Sequence, residues 1–235
     1  MNKLRIDIWS DIACPWCYIG KRRLEAALAR FPHRDDVQIV WRSFELDPSA
    51  PREQDSTMSV TERLAKKYRT SVAEAQKMVD RVVSVAKNDG LDFHFERARA
   101  GNTFDAHRLL HLAADKGLQG ELKERFLKAY FTDGEAIGNH EALARLAGEV
   151  GLDPDLARAT LASDSHGKDV RADQRLASEI GIQGVPFFVM AGKYAISGAQ
   201  PTELLLQALG KAWDELPKDL EPLAEGAACG PEGCD

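Results

Sequence analysis

The chain has 235 residues, of which 44% are hydrophobic and 29% charged, and its formal net charge is −6. These proportions are typical of a globular protein with a sizeable core. The negative charge and the lack of a basic or aromatic–basic run argue against nucleic acid as a partner. No apolar stretch approaches the roughly 18–20 residues of a membrane span, and the first residues lack the apolar segment of a secretory signal. We therefore expect a cytoplasmic protein with no membrane partner.

The first predicted elements are a strand and a helix that meet at two cysteines. Apolar residues alternate over residues 4–8, as in a strand, and recur with a helical period over residues 18–31. Cys14 and Cys17 form a C-x-x-C motif at the junction. Pro15 favours a helix start there, because proline lacks the N–H that would be unpaired and has its φ already set. We expect Cys14 at the helix cap and Cys17 one turn inside.

These positions give the two cysteines different predicted roles. Disulfide exchange needs a thiolate, and lowering the pKa of a thiol from about 8.5 to about 7 takes on the order of 2 kcal/mol. The helix dipole supplies only roughly 0.3–1 kcal/mol. We therefore expect N–H groups of the first turn, together with the Cys17 thiol, to hydrogen-bond the Cys14 sulfur. Cys14 then attacks the substrate, and the less exposed Cys17 resolves the mixed disulfide.

The same spacing also occurs in structural zinc sites, so half of a zinc site is the alternative interpretation. Zinc-binding pairs usually lie on turns rich in glycine and polar residues. This pair instead opens a helix after a buried strand, which favours a thioredoxin-like redox motif. We assign no metal to it.

A long helical region follows the second predicted strand, which covers residues 37–44. A loop is predicted over residues 49–57, and from there to about residue 180 the pattern is almost wholly helical, far more than a crossover between neighbouring strands requires. We predict an α/β protein with a large inserted helical domain that packs as a lid on a small sheet. The predicted parts are a thioredoxin-like domain (residues 1–48 and 180–216), the helical insertion (49–179) and a mobile acidic tail (217–235).

Helix starts within this region are marked by capping patterns. Ser59 and Ser71 are each followed three positions later by glutamate, the pattern of a capping box. Other starts are predicted at polar residues before apolar helical stripes: Asn102-Thr103, Asn139, Asp153 and Asp164.

The sheet is predicted to resume after the helical region. Two short apolar segments, residues 184–190 and 194–198, are joined by a glycine-containing turn and predict a hairpin. Pro201 lies in the first turn of a final amphipathic helix. Strand, C-x-x-C helix, strand, helices, hairpin and helix follow one another in the thioredoxin-like order.

Three sequence blocks resemble the FrnE-type branch of the DsbA-like dithiol–disulfide oxidoreductases. They are DIACPWCYIGK at residues 11–21, GNTFDAHRL at 101–109 and GIQGVPFFV at 181–189. The resemblance implies a thioredoxin fold with an inserted helical domain and activity as a protein disulfide isomerase or oxidoreductase. It also implies a cis peptide bond before Pro186, beside the cysteines.

The resemblance further implies which residues meet the substrate. The backbone of Val185 pairs with an extended substrate segment, and Pro15, Trp16 and Pro186 border the cysteines. Trp16 offers an apolar face to unfolded chains, and a core aromatic is the alternative interpretation.

Two polar residues of the second block, His107 and Asn102, are candidates for the border of the cleft. A helix-capping asparagine and a satisfied helix histidine are the favoured alternatives. Glutathione-dependent relatives of the same fold, such as 2-hydroxychromene-2-carboxylate isomerases and kappa-class glutathione transferases, carry serine at the position of Cys14. The presence of both cysteines therefore favours dithiol chemistry.

A second cysteine pair, Cys229 and Cys234, ends the chain as C-x4-C with glycine and proline between the cysteines. Such a turn can close a disulfide. The thirteen residues from Leu216 to Cys229 span at most roughly 43 Å, which permits contact with Cys14. We predict a second redox pair that exchanges with the first, and keep a metal ion held by all four cysteines and an inert tail as alternatives.

The expected function is thiol–disulfide exchange on unfolded or mis-oxidised proteins. No bound cofactor is expected, and glutathione or a thioredoxin-type reductant is the expected recycling partner. A redox-sensing holdase and a glutathione-dependent isomerase or transferase of the same fold are the alternatives. The sequence leaves the oligomeric state open, with a monomer favoured.

Overall fold

The computed structural model describes residues 3–52 and 58–217, and the backbone of two short strands near the C-terminus. A four-stranded sheet is formed by β1 (Leu4–Ser10), β2 (Val37–Ser43), β3 (Phe187–Met190) and β4 (Tyr194–Ser197), in the order β2-β1-β3-β4. β1 and β2 are parallel, while β3 is antiparallel to both β1 and β4. The two short strands are β5 (Cys229–Gly230) and β6 (Gly233–Cys234), which pair with each other.

The helices of the described ranges fall into three groups along the chain. The first helix follows β1, seven lie between β2 and β3, and the last follows β4. They are α1 (Pro15–Ala29), α2 (Val60–Tyr68), α3 (Val72–Asn88), α4 (Phe104–Asp115), α5 (Gln119–Lys128), α6 (His140–Glu149), α7 (Pro154–Ala162), α8 (Gly167–Glu179) and α9 (Thr202–Asp214). A π-helical turn, Ala129–Asp133, extends α5. None of these helices combines the length and apolar character needed to cross a bilayer.

One apolar core lies between the sheet and the helices α1 and α9. Alternate residues of β1 point into it, as the strand period requires. Trp9, on the opposite face of β1, packs with Ala177 of α8 and Ile182. The main members of the first core are Leu4, Ile6, Ile8, Leu24, Phe31, Phe188, Met190, Leu205 and Leu209.

A second, larger core is formed by the helices between β2 and β3. Its members on α4 and α5 include Leu109, Leu122 and Phe126, all fully buried. Ile12 and Ile19, from the β1–α1 connection and from α1, join this core as well. The C-x-x-C segment therefore lies where the two cores meet.

The predicted capping boxes are confirmed. The Ser59 and Ser71 side chains accept from the N–H groups of Glu62 and Glu74, and the backbone N–H of each serine donates to the side chain of the same glutamate. These reciprocal bonds begin α2 and α3 at the predicted positions.

Three predicted helix starts differ in detail from the structure. α8 begins after His166 rather than at Asp164. Thr103 makes no side-chain cap bond, and Asn102 Oδ1 instead accepts from Phe104 N–H at 2.8 Å. Pro201 is the N-cap of α9, one position before the helix. In each case the helix itself was predicted, and the local loop geometry sets its first turn.

Some predictions concern residues that the structure does not describe. Residues 53–57 of the predicted loop and most of the tail predicted to be mobile lie outside the described residues. The proposed domain boundaries stay a prediction. α8, within the predicted insertion, packs on β2 as well as on α4.

Candidate active site

The dithiol occupies the start of α1. Cys14 is the N-cap, Pro15 is the first helical residue, and the Cys17 N–H donates to the Cys14 carbonyl at 3.1 Å. Both cysteines are free thiols. The sequence therefore placed the two residues correctly on the helix, with Cys17 in its first turn.

Both sulfurs lie below the surface, but to different extents. Cys14 is 4% exposed and Cys17 is 1% exposed, while Pro15 and Trp16 between them are half-buried. Cys14 is the more accessible of the two, as the predicted division of labour requires.

The expected N–H donors to the Cys14 sulfur are not found, and that prediction was wrong for the thiol in this structure. The Cys14 side chain makes no capping hydrogen bond, and Pro15 has no N–H to offer. The thiol instead donates to the carbonyl of Val185, with 3.5 Å between sulfur and oxygen. The Cys14 sulfur is thus turned toward the Val185–Pro186 segment.

That segment is held against α1 by close packing. The Val185–Pro186 peptide bond is cis. A Cβ atom added at Gly20 would lie 2.9 Å from Cγ of Pro186, a separation too short for two carbon atoms. Glycine at position 20 therefore lets the proline ring approach the helix that carries the cysteines.

Cys17 is disfavoured as a thiolate. Burial raises the pKa of Cys17 well above the ordinary value. The hydrogen bond between Cys17 and Cys14 raises this pKa further, as does the negative charge of an ionised Cys14. The positive charge of Lys123 acts in the opposite direction. The Cys17 thiol is therefore protonated at neutral pH in the reduced protein.

A buried acid lies in the connection between β1 and α1. Asp11 is 1% exposed, and its Oδ2 accepts from the N–H of Leu46 at 2.8 Å. Its Oδ1 lies 3.4 Å from Nε2 of His107, which projects from α4. Burial alone would raise the pKa of Asp11, but His107 and the Leu46 N–H hold it below the ordinary value. Burial lowers the pKa of His107, although the negative charge of Asp11 raises it in part.

Sequence reasoning missed Lys123, a fully buried cation on α5. Within the described part of the chain its Nζ has no hydrogen-bond partner, and it lies 5.5 Å from the ring centroid of Trp41. Burial lowers its pKa to about 8, against the attraction of Cys17, Asp11 and Cys14. A sequence signal existed, because Lys123 shares a helix face with Phe126 and Leu127 at i+3 and i+4.

Comparison with known proteins decides the family. Residues 5–210 match the family model described as a DSBA-like thioredoxin domain. The chain belongs to the DsbA-like thioredoxin family. A thioredoxin-like fold and a place among thiol–disulfide oxidoreductases follow from this membership, while the FrnE branch in particular stays a prediction.

Individual relatives agree with the family. A probable DsbA oxidoreductase from Streptomyces coelicolor is 45% identical, with a TM-score of 0.85 over 99% of this chain and 98% of that one. The uncharacterised Bacillus subtilis (strain 168) protein YwbO is 27% identical over 209 residues, or 88% of this chain and 96% of the relative. The cytosolic disulfide reductase DsbM of Pseudomonas aeruginosa is 15% identical with a TM-score of 0.61, covering 90% and 99% of the two chains, a likeness of fold alone.

The other predicted site residues of this DsbA-like protein have different outcomes. Val185 and Pro186 lie beside Cys14, as expected. Trp16 packs against the helical core, and its substrate role stays a prediction. Asn102 lies one residue before Thr103, the N-cap of α4, and its Oδ1 accepts from the Phe104 N–H, so it bonds the first turn as the favoured interpretation required without being the N-cap itself. His107 is buried with its Nε2 3.4 Å from Oδ1 of Asp11, so it has the acidic partner that the favoured interpretation required, although within the described ranges neither ring nitrogen makes a well-aligned hydrogen bond.

The second cysteine pair of the DsbA-like protein is described only as backbone. Cys229 and Cys234 face each other in the β5–β6 pairing, and their side chains lie outside the described residues. Their contact with Cys14 therefore stays a prediction.

Proposed function

We propose that this protein is a dithiol–disulfide oxidoreductase that acts as a protein disulfide isomerase. The observation that carries the proposal is the pair of free thiols at the start of α1, with the Val185 carbonyl 3.5 Å from the Cys14 sulfur. Family membership supports thiol–disulfide chemistry in general. An extended substrate segment that pairs with the backbone of Val185 would bring its disulfide to Cys14.

The proposed reaction uses the two cysteines in turn. The Cys14 thiolate attacks one sulfur of a substrate disulfide, forms a mixed disulfide and releases the other substrate sulfur as a thiolate. In isomerisation, another substrate thiolate displaces Cys14. In net reduction, Cys17 displaces the substrate from Cys14 and closes the enzyme disulfide, and net oxidation is the reverse.

Reactivation of scrambled ribonuclease tests this assignment. We expect Cys14→Ser to lose the activity, because no thiolate remains to attack. Cys17→Ser keeps the attacking thiol, so we expect it to accumulate mixed disulfides that mass spectrometry detects. The two variants are matched, since each replaces one sulfur with oxygen one helical turn apart.

Other results would favour the alternative functions. A holdase would suppress aggregation of an unfolded protein equally well with and without Cys14, and it would reactivate nothing. Tight, saturable glutathione binding without turnover of protein disulfides would favour glutathione-dependent chemistry on small molecules. Either result would overturn the assignment as a protein disulfide isomerase.

We also infer that Cys229 and Cys234 form a second redox pair that exchanges with Cys14. The support is the C-x4-C spacing and the antiparallel pairing of the two backbones. In a Cys17→Ser variant we expect a trapped disulfide between Cys14 and one tail cysteine, and its absence in every preparation would contradict exchange. Stoichiometric zinc in protein purified under reducing conditions would instead favour a metal shared by the four cysteines.

The remaining parts of the proposal concern the surroundings of the enzyme. The substrates are unfolded or mis-oxidised proteins, and glutathione or a thioredoxin-type reductant recycles the dithiol without a bound cofactor. A reducing, cytoplasmic setting suits this recycling. Monomeric action needs only one copy of the dithiol and is the simplest assembly.

A further inference from the structure

A tight turn carries the chain from β1 to the dithiol. The Cys14 N–H donates to the Asp11 carbonyl at 3.4 Å, which closes a β-turn over residues 11–14. The Asp11 carboxylate supports the same turn, because its Oδ1 accepts from the Ala13 N–H at 3.5 Å. The backbone position of Cys14 therefore depends on where the side chain of Asp11 is held.

The turn is embedded in the core of the helical region rather than in the core beside α1 and α9. Ile12 is fully buried in that helical core, and Ala13 packs against it. Leu109 of α4 and Phe126 of α5 belong to the same core. The helices between β2 and β3 thus enclose the segment that presents the Cys14 thiol.

Two groups outside the turn lie against the Asp11 carboxylate. Its Oδ2 accepts from the Leu46 N–H at 2.8 Å, and its Oδ1 lies 3.4 Å from Nε2 of His107. Asp11 and His107 are each only 1% exposed, so solvent screens their interaction little. The carboxylate oxygen that accepts from Ala13 is therefore the one that faces His107.

The His107 ring has no competing partner among the described residues. Neither ring nitrogen makes a well-aligned hydrogen bond there, and Asp11 is the acid that lies within ion-pair distance of the ring. Burial keeps the imidazole neutral at pH 7 and above, because it lowers the pKa of His107. A neutral imidazole carries one ring proton. It can therefore donate toward Asp11 only as the tautomer with that proton on Nε2.

We propose that His107 is a positioning residue that fixes the backbone of Cys14 through Asp11. The Nε2–H of His107 donates toward Oδ1 of Asp11, which keeps this oxygen beside the Ala13 N–H and the turn closed. The helical region thereby sets the position from which the Cys14 sulfur attacks. The proposal rests on the thiol–disulfide exchange proposed above and deepens it.

The tautomer of His107 in the reduced, full-length wild-type protein tests this arrangement directly. Long-range proton–nitrogen NMR correlations near pH 7.5 distinguish a protonated from an unprotonated ring nitrogen, and the loss of signals in His107→Gln assigns them. We expect the proton on Nε2. A proton on Nδ1 would overturn the proposal, because Nε2 would then present its lone pair to the carboxylate.

Amide hydrogen exchange shows whether the turn is held closed. In His107→Leu, which offers Asp11 no donor, we expect the Cys14 N–H to exchange about tenfold faster than in wild type. The N–H of Leu24, a buried residue of α1, is the internal reference and should keep its rate. His107→Gln places an amide donor near the position of Nε2 and should restore protection of the Cys14 N–H. An unchanged Cys14 rate, or equal acceleration at Cys14 and Leu24, would contradict a positioning role.

A stopped-flow reaction with 5,5′-dithiobis(2-nitrobenzoate) measures the consequence for the nucleophile. Attack by the Cys14 thiolate releases the first thionitrobenzoate. We expect His107→Leu to slow this release about tenfold and His107→Gln less than about twofold, because a small displacement of a reacting atom is costly.

A double-substitution cycle tests whether His107 acts through Asp11. Asp11→Asn replaces one acceptor oxygen with an NH₂ group, so it should also slow the first release. The double variant Asp11→Asn/His107→Leu should be no slower than Asp11→Asn alone. Additive effects of the two substitutions would overturn the proposal.

The outcomes separate this proposal from the proposed function. A slow first release in His107→Leu, combined with no ribonuclease reactivation by the wild-type protein, would leave the role of His107 and reject the protein substrate. Ribonuclease reactivation by wild type, with an unchanged first release in His107→Leu, would do the reverse. If His107→Leu does not fold, the tautomer in the wild-type protein still decides.

Discussion

Cys14 and Cys17 are separated by one helical turn, yet their side chains meet different surroundings. The Cys14 thiol reaches the Val185 carbonyl, at the contact between α1 and the cis-proline segment. Cys17 faces inward, and burial raises the pKa of its thiol well above the ordinary value. At neutral pH the Cys17 thiol is therefore protonated in the reduced protein. Nucleophilic reactivity should belong to Cys14.

We expect brief treatment of the reduced protein with iodoacetamide at pH 7 to label Cys14 at least about tenfold faster than Cys17. The physical reason is that alkylation needs a thiolate and access, and Cys17 lacks both. Mass spectrometry of the cysteine peptide measures the ratio. A Cys14→Ser variant in which the peptide that carries Cys17 remains unlabelled is the control, and equal labelling of Cys14 and Cys17 would contradict the assigned roles.

At the scale of elements, α5 is hydrogen-bonded to the edge strand of the sheet. The side-chain amide of Gln119, its first residue, accepts from Trp41 N–H and donates to Trp41 carbonyl, both at 3.0 Å. β2 is the edge strand, so this amide occupies hydrogen-bonding groups that a neighbouring strand would use. Lys123 follows one turn later on the same helix face. The hydrogen bonds between Gln119 and Trp41 therefore help to fix the position of Lys123.

Gln119→Leu should lower the free energy of unfolding by about 1–3 kcal/mol, because it leaves the N–H and carbonyl of Trp41 unpaired. Urea denaturation of the reduced protein measures the change. Gln207→Leu, which alters an exposed amide on α9, is the matched control and should change stability by less than about 0.5 kcal/mol. Equal effects of the two substitutions would show that the Gln119 amide adds nothing beyond a surface contact.

At the scale of the whole molecule, the two apolar cores enclose ionisable groups that link stability to pH. Burial lowers the pKa of His107 below the value of about 6.5 that an unfolded chain has. As pH falls through 6.5 the unfolded chain binds this proton first, so acid favours unfolding. The folded protein therefore loses stability as the pH falls below 6.5. The loss ends only at the lower pH at which His107 of the folded protein also binds the proton. Asp11, whose pKa is also lowered, acts in the same direction only below about 3.8.

We expect the free energy of unfolding of the wild-type protein to fall between pH 6.5 and 5, with up to about 1.4 kcal/mol per pH unit arising from His107. His107→Gln should have a shallower dependence, because its side chain does not titrate. Urea denaturation at several pH values measures the slope. His33→Gln, which removes an exposed imidazole, controls for the loss of a histidine side chain in general. The same slope in His107→Gln and wild type would exclude the buried imidazole as its source.

The sequence by itself determined the elements and the identity of the dithiol. Alternating and helical apolar periods predicted β1, β2, α1 and the helical region, because these patterns depend on local geometry alone. The capping boxes of α2 and α3 involve residues three positions apart and were predicted for the same reason. The C-x-x-C spacing and Pro15 likewise set the dithiol at the start of a helix.

Only the tertiary structure decided what surrounds the two sulfurs. The Val185 carbonyl lies 171 positions from Cys14 along the chain, and Asp11 lies beside His107 of α4. No local period encodes such contacts, since they arise when distant segments pack together. Burial then changes the ionisation of Cys17, His107 and Lys123, because desolvation and nearby charges depend on every segment that encloses a group.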